Sequence, residues 1–148
     1  MKKLISVLLP VFLIMCLISG CGYNYRESFK RFDVAVTLDT PDDIYAVTCD
    51  YSLDGKSLGL QGASNADETK ITDGVYFEFD EKNFEDNPEL GELSLSFGLY
   101  DRLRQSLDEE ERVIPVDGEI KIEAQYGREY RVTISGDKQS GFRAVLAG

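Results

Sequence analysis

From residue 32 onward apolar side chains fall on every second position, and that period confines the chain to strands with one buried face. "DVAVTL" (33–38) sets Val34, Val36 and Leu38 on one side, and "GVYFEFD" (74–80) does the same with Val75, Phe77 and Phe79. "ELSLSFGL" (92–99) aligns Leu93, Leu95, Phe97 and Leu99, while "EIKIEA" (119–124), "YRVTI" (130–134) and "FRAVL" (142–146) continue the pattern. With a pair of strands flanking Asp54-Gly55 the count reaches about eight, at the spacing of a sandwich or barrel. A polar face alternating with an apolar one suits antiparallel sheets with one wet side, so the expectation is an all-β, antiparallel β-sandwich over residues 32–148. Prolines 41, 88 and 115 fall between or at the ends of these runs, where they interrupt no ladder. "LYDRLRQSLDEEER" (99–112) spaces Leu99, Leu103 and Leu107 four apart, as a short helical turn would. It is read here as a strand end followed by a long charged connection.

Register can be read from the turns. A type I′ turn at Asp54-Gly55 pairs Leu53 with Lys56, Tyr51 with Leu58 and Cys49 with Leu60, matching apolar to apolar. Nearer the C-terminus, a loop at 125–127 with Gly127 at positive φ sets Ile122 opposite Tyr130 and Ile120 opposite Val132. A loop at 136–140 then sets Ile134 opposite Phe142 and Val132 opposite Ala144. Ile122, Tyr130, Val132, Ile134, Phe142 and Ala144 thereby share one face, with Arg131 and Thr133 pointing away.

The chain opens on a different pattern. Lys2 and Lys3 form a positive start, "LISVLLPVFLIMCLI" (4–18) is an apolar core, and Ser19 and Gly20 are small residues of the kind a signal peptidase requires. The apolar run falls short of the ~20 residues of a comfortable membrane span, and Pro10 interrupts it. "ISGC" (18–21) resembles the lipobox of bacterial lipoproteins. That resemblance implies that Cys21 receives a diacylglycerol and that cleavage between Gly20 and Cys21 removes the signal peptide 1–20. It also implies that 21–31 becomes a lipidated tether holding the domain to the extracytoplasmic face of a cell membrane. Cys16 follows "LIM" instead of small residues and leaves with the signal.

Cysteine and charge then take on meaning. Removal of 1–20 leaves 128 residues, a natural size for one domain. Only Cys49 remains unmodified, so no intramolecular disulfide can form. Its alternation with Tyr45, Val47, Tyr51 and Leu53 makes it a small buried hydrophobe. Loss of Lys2 and Lys3 moves the net charge from −11 to −13. "GYNYRESFKR" (22–31) carries +2, so the body after it carries −15. The basic tether favours an anionic lipid surface, and the acidic body disfavours nucleic acid as a partner.

The chain has no histidine, which removes Ser-His-Asp and Cys-His nucleophiles and His-based zinc sites. "LDGKS" is too short for a phosphate loop and sits in a hairpin. No cofactor is implied. Carboxylates are abundant enough to supply a glycosidase pair, yet nothing in their spacing picks out two of them. "DTPDD" (39–43) and "DEKNFEDNPE" (80–89) offer oxygen ligands for calcium without the spacing of a dedicated loop. Tyr23, Tyr25 and Phe29 lie beside the anchor, where aromatic rings favour the headgroup level; chance aromatics in a disordered tether are the equal alternative.

"VDGEIKIEAQYGREYRVTISGDKQSGFRAVL" (116–146) is loosely similar to the carboxypeptidase-regulatory-like domain. The shared features are a strand opening on Asp117-Gly118, a strand start from Gly127 to Tyr130, and a restart at Gly141-Phe142. The resemblance implies a prealbumin-like or immunoglobulin-like sandwich with a binding or scaffolding role, and it supplies no catalytic residue. The functional expectation is an anchored lipoprotein whose acidic, non-catalytic sandwich engages another envelope protein. A carboxylate-based hydrolase acting on envelope glycans and a structural spacer or assembly subunit are the alternatives.

Overall fold

The computed structural model describes residues 30–84, 90–102 and 113–147. Nine strands account for most of them: β1 (Arg31–Asp39), β2 (Ala46–Leu53), β3 (Lys56–Ser64), β4 (Val75–Asp80), β5 (Glu92–Tyr100), β6 (Ile114–Asp117), β7 (Ile120–Glu123), β8 (Glu129–Asp137) and β9 (Gly141–Ala147). A 3-10 turn, Glu81–Phe84, follows β4. The strand absent from the sequence reading is β6, four residues long with exposed Pro115 inside it. It is too short for alternation to reveal.

The all-β expectation holds, and the antiparallel one needs correction. The strands hydrogen-bond in the order β3-β2-β5-β6-β9-β8-β1-β4, with β7 also on β5, in one mixed and nearly closed barrel-like sheet. β1 pairs with β8 in parallel, and so does β6 with β9. Where the circuit would close, between β4 and β3, the amide of Gln61 donates to the carbonyl of Glu78 at 3.2 Å.

The parallel pairing follows from how the chain leaves β7. β7 pairs with β5, and no β7–β8 hairpin forms. Residues 124–128 instead carry the chain across the core to lie beside β1. Gly127 N–H donates to the Arg31 carbonyl at 2.7 Å, and Asp33 N–H donates to the Arg128 carbonyl at 3.0 Å. The Tyr130 hydroxyl donates to the Glu123 carbonyl at 2.7 Å and accepts from the Gln125 N–H at 3.0 Å. One phenol thus satisfies two backbone groups in a bend. Gly127 does take the expected positive φ, at 83°.

The other registers differ in detail. Asp54 (φ 49°) and Gly55 (φ 80°) form the expected turn, and Leu53 faces Lys56. Leu58 is then an extra residue, so Tyr51 faces Gly59 and Cys49 faces Gln61. The bulge lays the tyrosine ring along the glycine, where a Cβ would stand 3.2 Å from the phenol oxygen. In the last hairpin Ile134 faces Ala144 and Val132 faces Leu146, two residues away from expectation, because the loop tightens to 138–140. An even shift leaves every face unchanged.

Outside β3, where the bulge turns Leu60 outward, faces are as the alternation set them. Val34, Val36, Phe77, Phe79, Leu93, Leu95, Leu99, Val132, Ile134 and Phe142 are all buried. No buried polar or charged residue accompanies them among the described residues. Aromatic rings fill one end of this core: Phe79 stacks on Phe32 at 5.2 Å and meets Tyr51 edge-on at 5.1 Å.

Two consequences are measurable. Val132→Ala and Ile134→Ala should each destabilise the domain by about 1–4 kcal/mol through lost burial and a residual cavity, whereas half-buried Thr133→Ala should stay within about 0.5 kcal/mol. Equal losses at all three in urea unfolding would contradict a one-sided strand.

Gly136→Ala should cost more than about 2 kcal/mol, combining backbone strain with a collision. Gly136 has φ 117°, and a Cβ there would stand 2.1 Å from the Gly141 carbonyl oxygen in the β8–β9 hairpin. Gly127→Ala, at positive φ but with open space around it, should cost only about 1–2 kcal/mol. Similar melting temperatures for these two variants would argue against the close approach at residue 136.

Candidate functional site

Gly20 and Cys21, the residues expected to be cleaved and lipidated, lie outside the described residues, as do Tyr23, Tyr25 and Phe29. The described chain begins at Lys30, where the expected tether would meet the body. The Lys30 N–H donates to Glu81 Oε1 at 3.3 Å, and the Arg31 guanidinium donates to Glu78 Oε2 at 3.0 Å. β1 starts and β4 ends at this pole, beside the Asp54-Gly55 turn and the 124–128 crossing. Backbone bonds from Asp54 to Glu92 and from Ala124 to Gly91 tie the loops together there. The Arg31–Glu78 pair is more than half exposed on both sides, so it orients more than it stabilises.

Cys49 sits on β2 with Val47 and Tyr51 and is fully buried. Burial pushes its thiol up from 9.0 to about 12, and the neighbouring Asp50 carboxylate adds to the effect. A thiol kept neutral and covered is a poor nucleophile. The native domain should therefore react with a thiol reagent no faster than it opens, and rapid stoichiometric labelling would refute this.

The shift has a pH consequence of definite sign. Between pH 9 and about 12 the unfolded thiol has lost its proton while the folded one keeps it. Its stabilising contribution is thus complete below pH 9 and is lost as pH climbs toward 12. Stability of the native sequence should fall by up to about 1.4 kcal/mol per pH unit more steeply in that window than stability of Cys49→Ala. Parallel pH profiles for the two proteins would remove this role for the thiol.

Within the acidic stretches considered for calcium, Asp42, Asp43, Asp80 and Asn83 are engaged within the protein. At the pole opposite Arg31, Asp42 Oδ2 accepts the Lys138 N–H at 2.7 Å, and Lys138 Nζ contacts Asp101 Oδ2 at 2.9 Å. Lys70 pairs with Asp43 at 2.8 Å. The Lys138 ammonium holds the Asp101 carboxyl below the usual carboxylate range, and Asp43 raises Lys70. In the second stretch Asp80 Oδ1 accepts the N–H groups of Lys82 and Asn83, while Asn83 Oδ1 accepts the Asp80 N–H. These side chains cap a turn, and residues 85–89 lie outside the described set. Among the described residues no three His, Cys, Asp or Glu side chains gather as a metal would need.

What remains is the outside of the sheet. Across β4, β1, β8 and β9 the register aligns Tyr76, Ala35, Arg131 and Ala147 in one row and Thr37, Thr133 and Val145 in the next. Tyr76 is 73% exposed and Val145 50%. Arg131 is held by Glu129 at 2.8 Å. On the other side Leu60, 64% exposed, faces Asp50, which in turn faces Ser96. Thr48 lies between Gly62 and Gly98, and Pro115 completes that row. This second surface consists mainly of small side chains with little charge. Tyr76 was legible as an outward residue of "VYFEFD". Leu60 was expected inside, and the Leu58 bulge turns it outward; the glycine at 59 was the available signal.

No protein-family model matches the chain. No curated protein sequence matches it either. Among the solved structures that match are two of pneumolysin. One, described as the structure of the membrane-binding domain of pneumolysin, is 14% identical with a TM-score of 0.35, covering 80% of this chain and 96% of that one. The other, the structure of pneumolysin at 1.98 Å resolution, is 14% identical with a TM-score of 0.31, covering 80% of this chain and 24% of that one. At these values the likeness carries no argument about fold or activity.

Proposed function

We propose that the chain is an extracytoplasmic lipoprotein, anchored to a cell membrane through Cys21, whose acidic body serves as a non-catalytic binding or scaffolding domain for another envelope protein. The observation that carries the proposal is the order of parts along the chain. A positive start, an apolar core and "ISGC" are followed within ten residues by a body that begins at β1 (Arg31–Asp39). Two or three acyl chains, each contributing about 0.8 kcal/mol per buried methylene, would hold such a domain stably without a span of its own. The body's charge of −15 favours a partner with a basic surface over a nucleic acid or an anionic lipid surface.

We also infer that the barrel-like sheet is flattened into an immunoglobulin-like or prealbumin-like sandwich. Cross-core ring pairs between strands that share no ladder, Tyr51 with Phe79 and Phe77 with Phe97 at 6.3 Å, support that reading.

Capture from solubilised envelope membranes with the full chain as bait tests the partner. The expected result is a protein retained at low salt and released as salt rises, since the attraction is electrostatic. Cleavage of envelope glycans by the purified domain, abolished by one Asp or Glu substitution, would overturn the proposal in favour of a hydrolase.

A further inference from the structure

We draw no further inference here: the strongest candidate, the exposed outer face of β4, β1, β8 and β9 around Tyr76, Thr133 and Val145, is an unpartnered sheet face, and nothing in the structure shows what covers it.

Discussion

Phe79→Ala is expected to remove about 3–5 kcal/mol of stability, a large part of the roughly 5–15 kcal/mol available to a domain of this size. The ring is fully buried on β4, opposite Phe32 in the β1–β4 ladder. It touches both sides of the core at once: Phe32 at 5.2 Å on its own side, and Tyr51 on β2 at 5.1 Å across from it. Phe84 of the 3-10 turn, 6.1 Å away, covers the end of the cluster. Truncation therefore opens a cavity between elements that no hydrogen-bonded ladder joins, and aromatic neighbours collapse into it poorly. Leu60→Ala is the matched control, because its side chain is already in water and should cost no more than about 0.5 kcal/mol. Urea unfolding at constant slope reads both. A loss below about 1 kcal/mol for Phe79→Ala would mean that the two sides of the core are not joined through this ring.

The contrast between those two positions shows what could be read in the sequence. Which way a side chain points is a local property, since alternation alone decides it, and Val34, Phe77, Leu95 and Ile134 are buried as their parity demands. Which strand lies next to which is not local. β8 could turn back onto β7 or cross to β1, and both choices bury the same face of Val132 and Ile134. The outcome is settled by the bonds that Gly127 and Arg128 of the crossing make with Arg31 and Asp33 of β1 and by the Tyr130 hydroxyl, all made between residues distant in sequence or in a bend without periodicity. Alternation is also blind to single insertions. The extra residue Leu58 reverses the parity of everything after it in β3, so Leu60 lies outside and half-buried Gln61 faces Cys49, close enough to β4 to bond the Glu78 carbonyl.

The candidate sites divide along the same line. Cys49 was legible because its parity places it among Val47, Tyr51 and Leu53, and burial alone accounts for most of its altered thiol. The acidic stretches were ambiguous because a carboxylate that caps a turn and one that awaits a cation have the same composition. Asp80 and Asn83 show the distinction only once their partners are placed. Cys21 depends on no fold at all. The lipobox resemblance proposed for it rests on the order of residues and not on what they pack against.

Cys21→Ala should accordingly separate the protein from the membrane or leave its precursor uncut, while the folded body is unaffected. A single fourteen-carbon chain gives reversible binding with a constant of about 10⁴ M⁻¹, so stable anchoring requires a second chain. If the two contributions are independent, deleting the acylated residue lowers membrane partitioning by several powers of ten. The tether's basic residues would return only about 1 kcal/mol each at an anionic surface, too little to compensate. The readouts are incorporation of a labelled fatty acid, the mass of the N-terminus, and the distribution between membrane and soluble fractions. Native protein should label, begin at Cys21 and remain with the membrane. The variant should not label, and it should appear either released or still carrying residues 1–20. An unchanged urea midpoint for its body would exclude misfolding as the cause. A Cys21→Ala protein that still takes up fatty acid and stays membrane-bound would sink the lipobox reading, and with it the proposed location of everything from β1 onward.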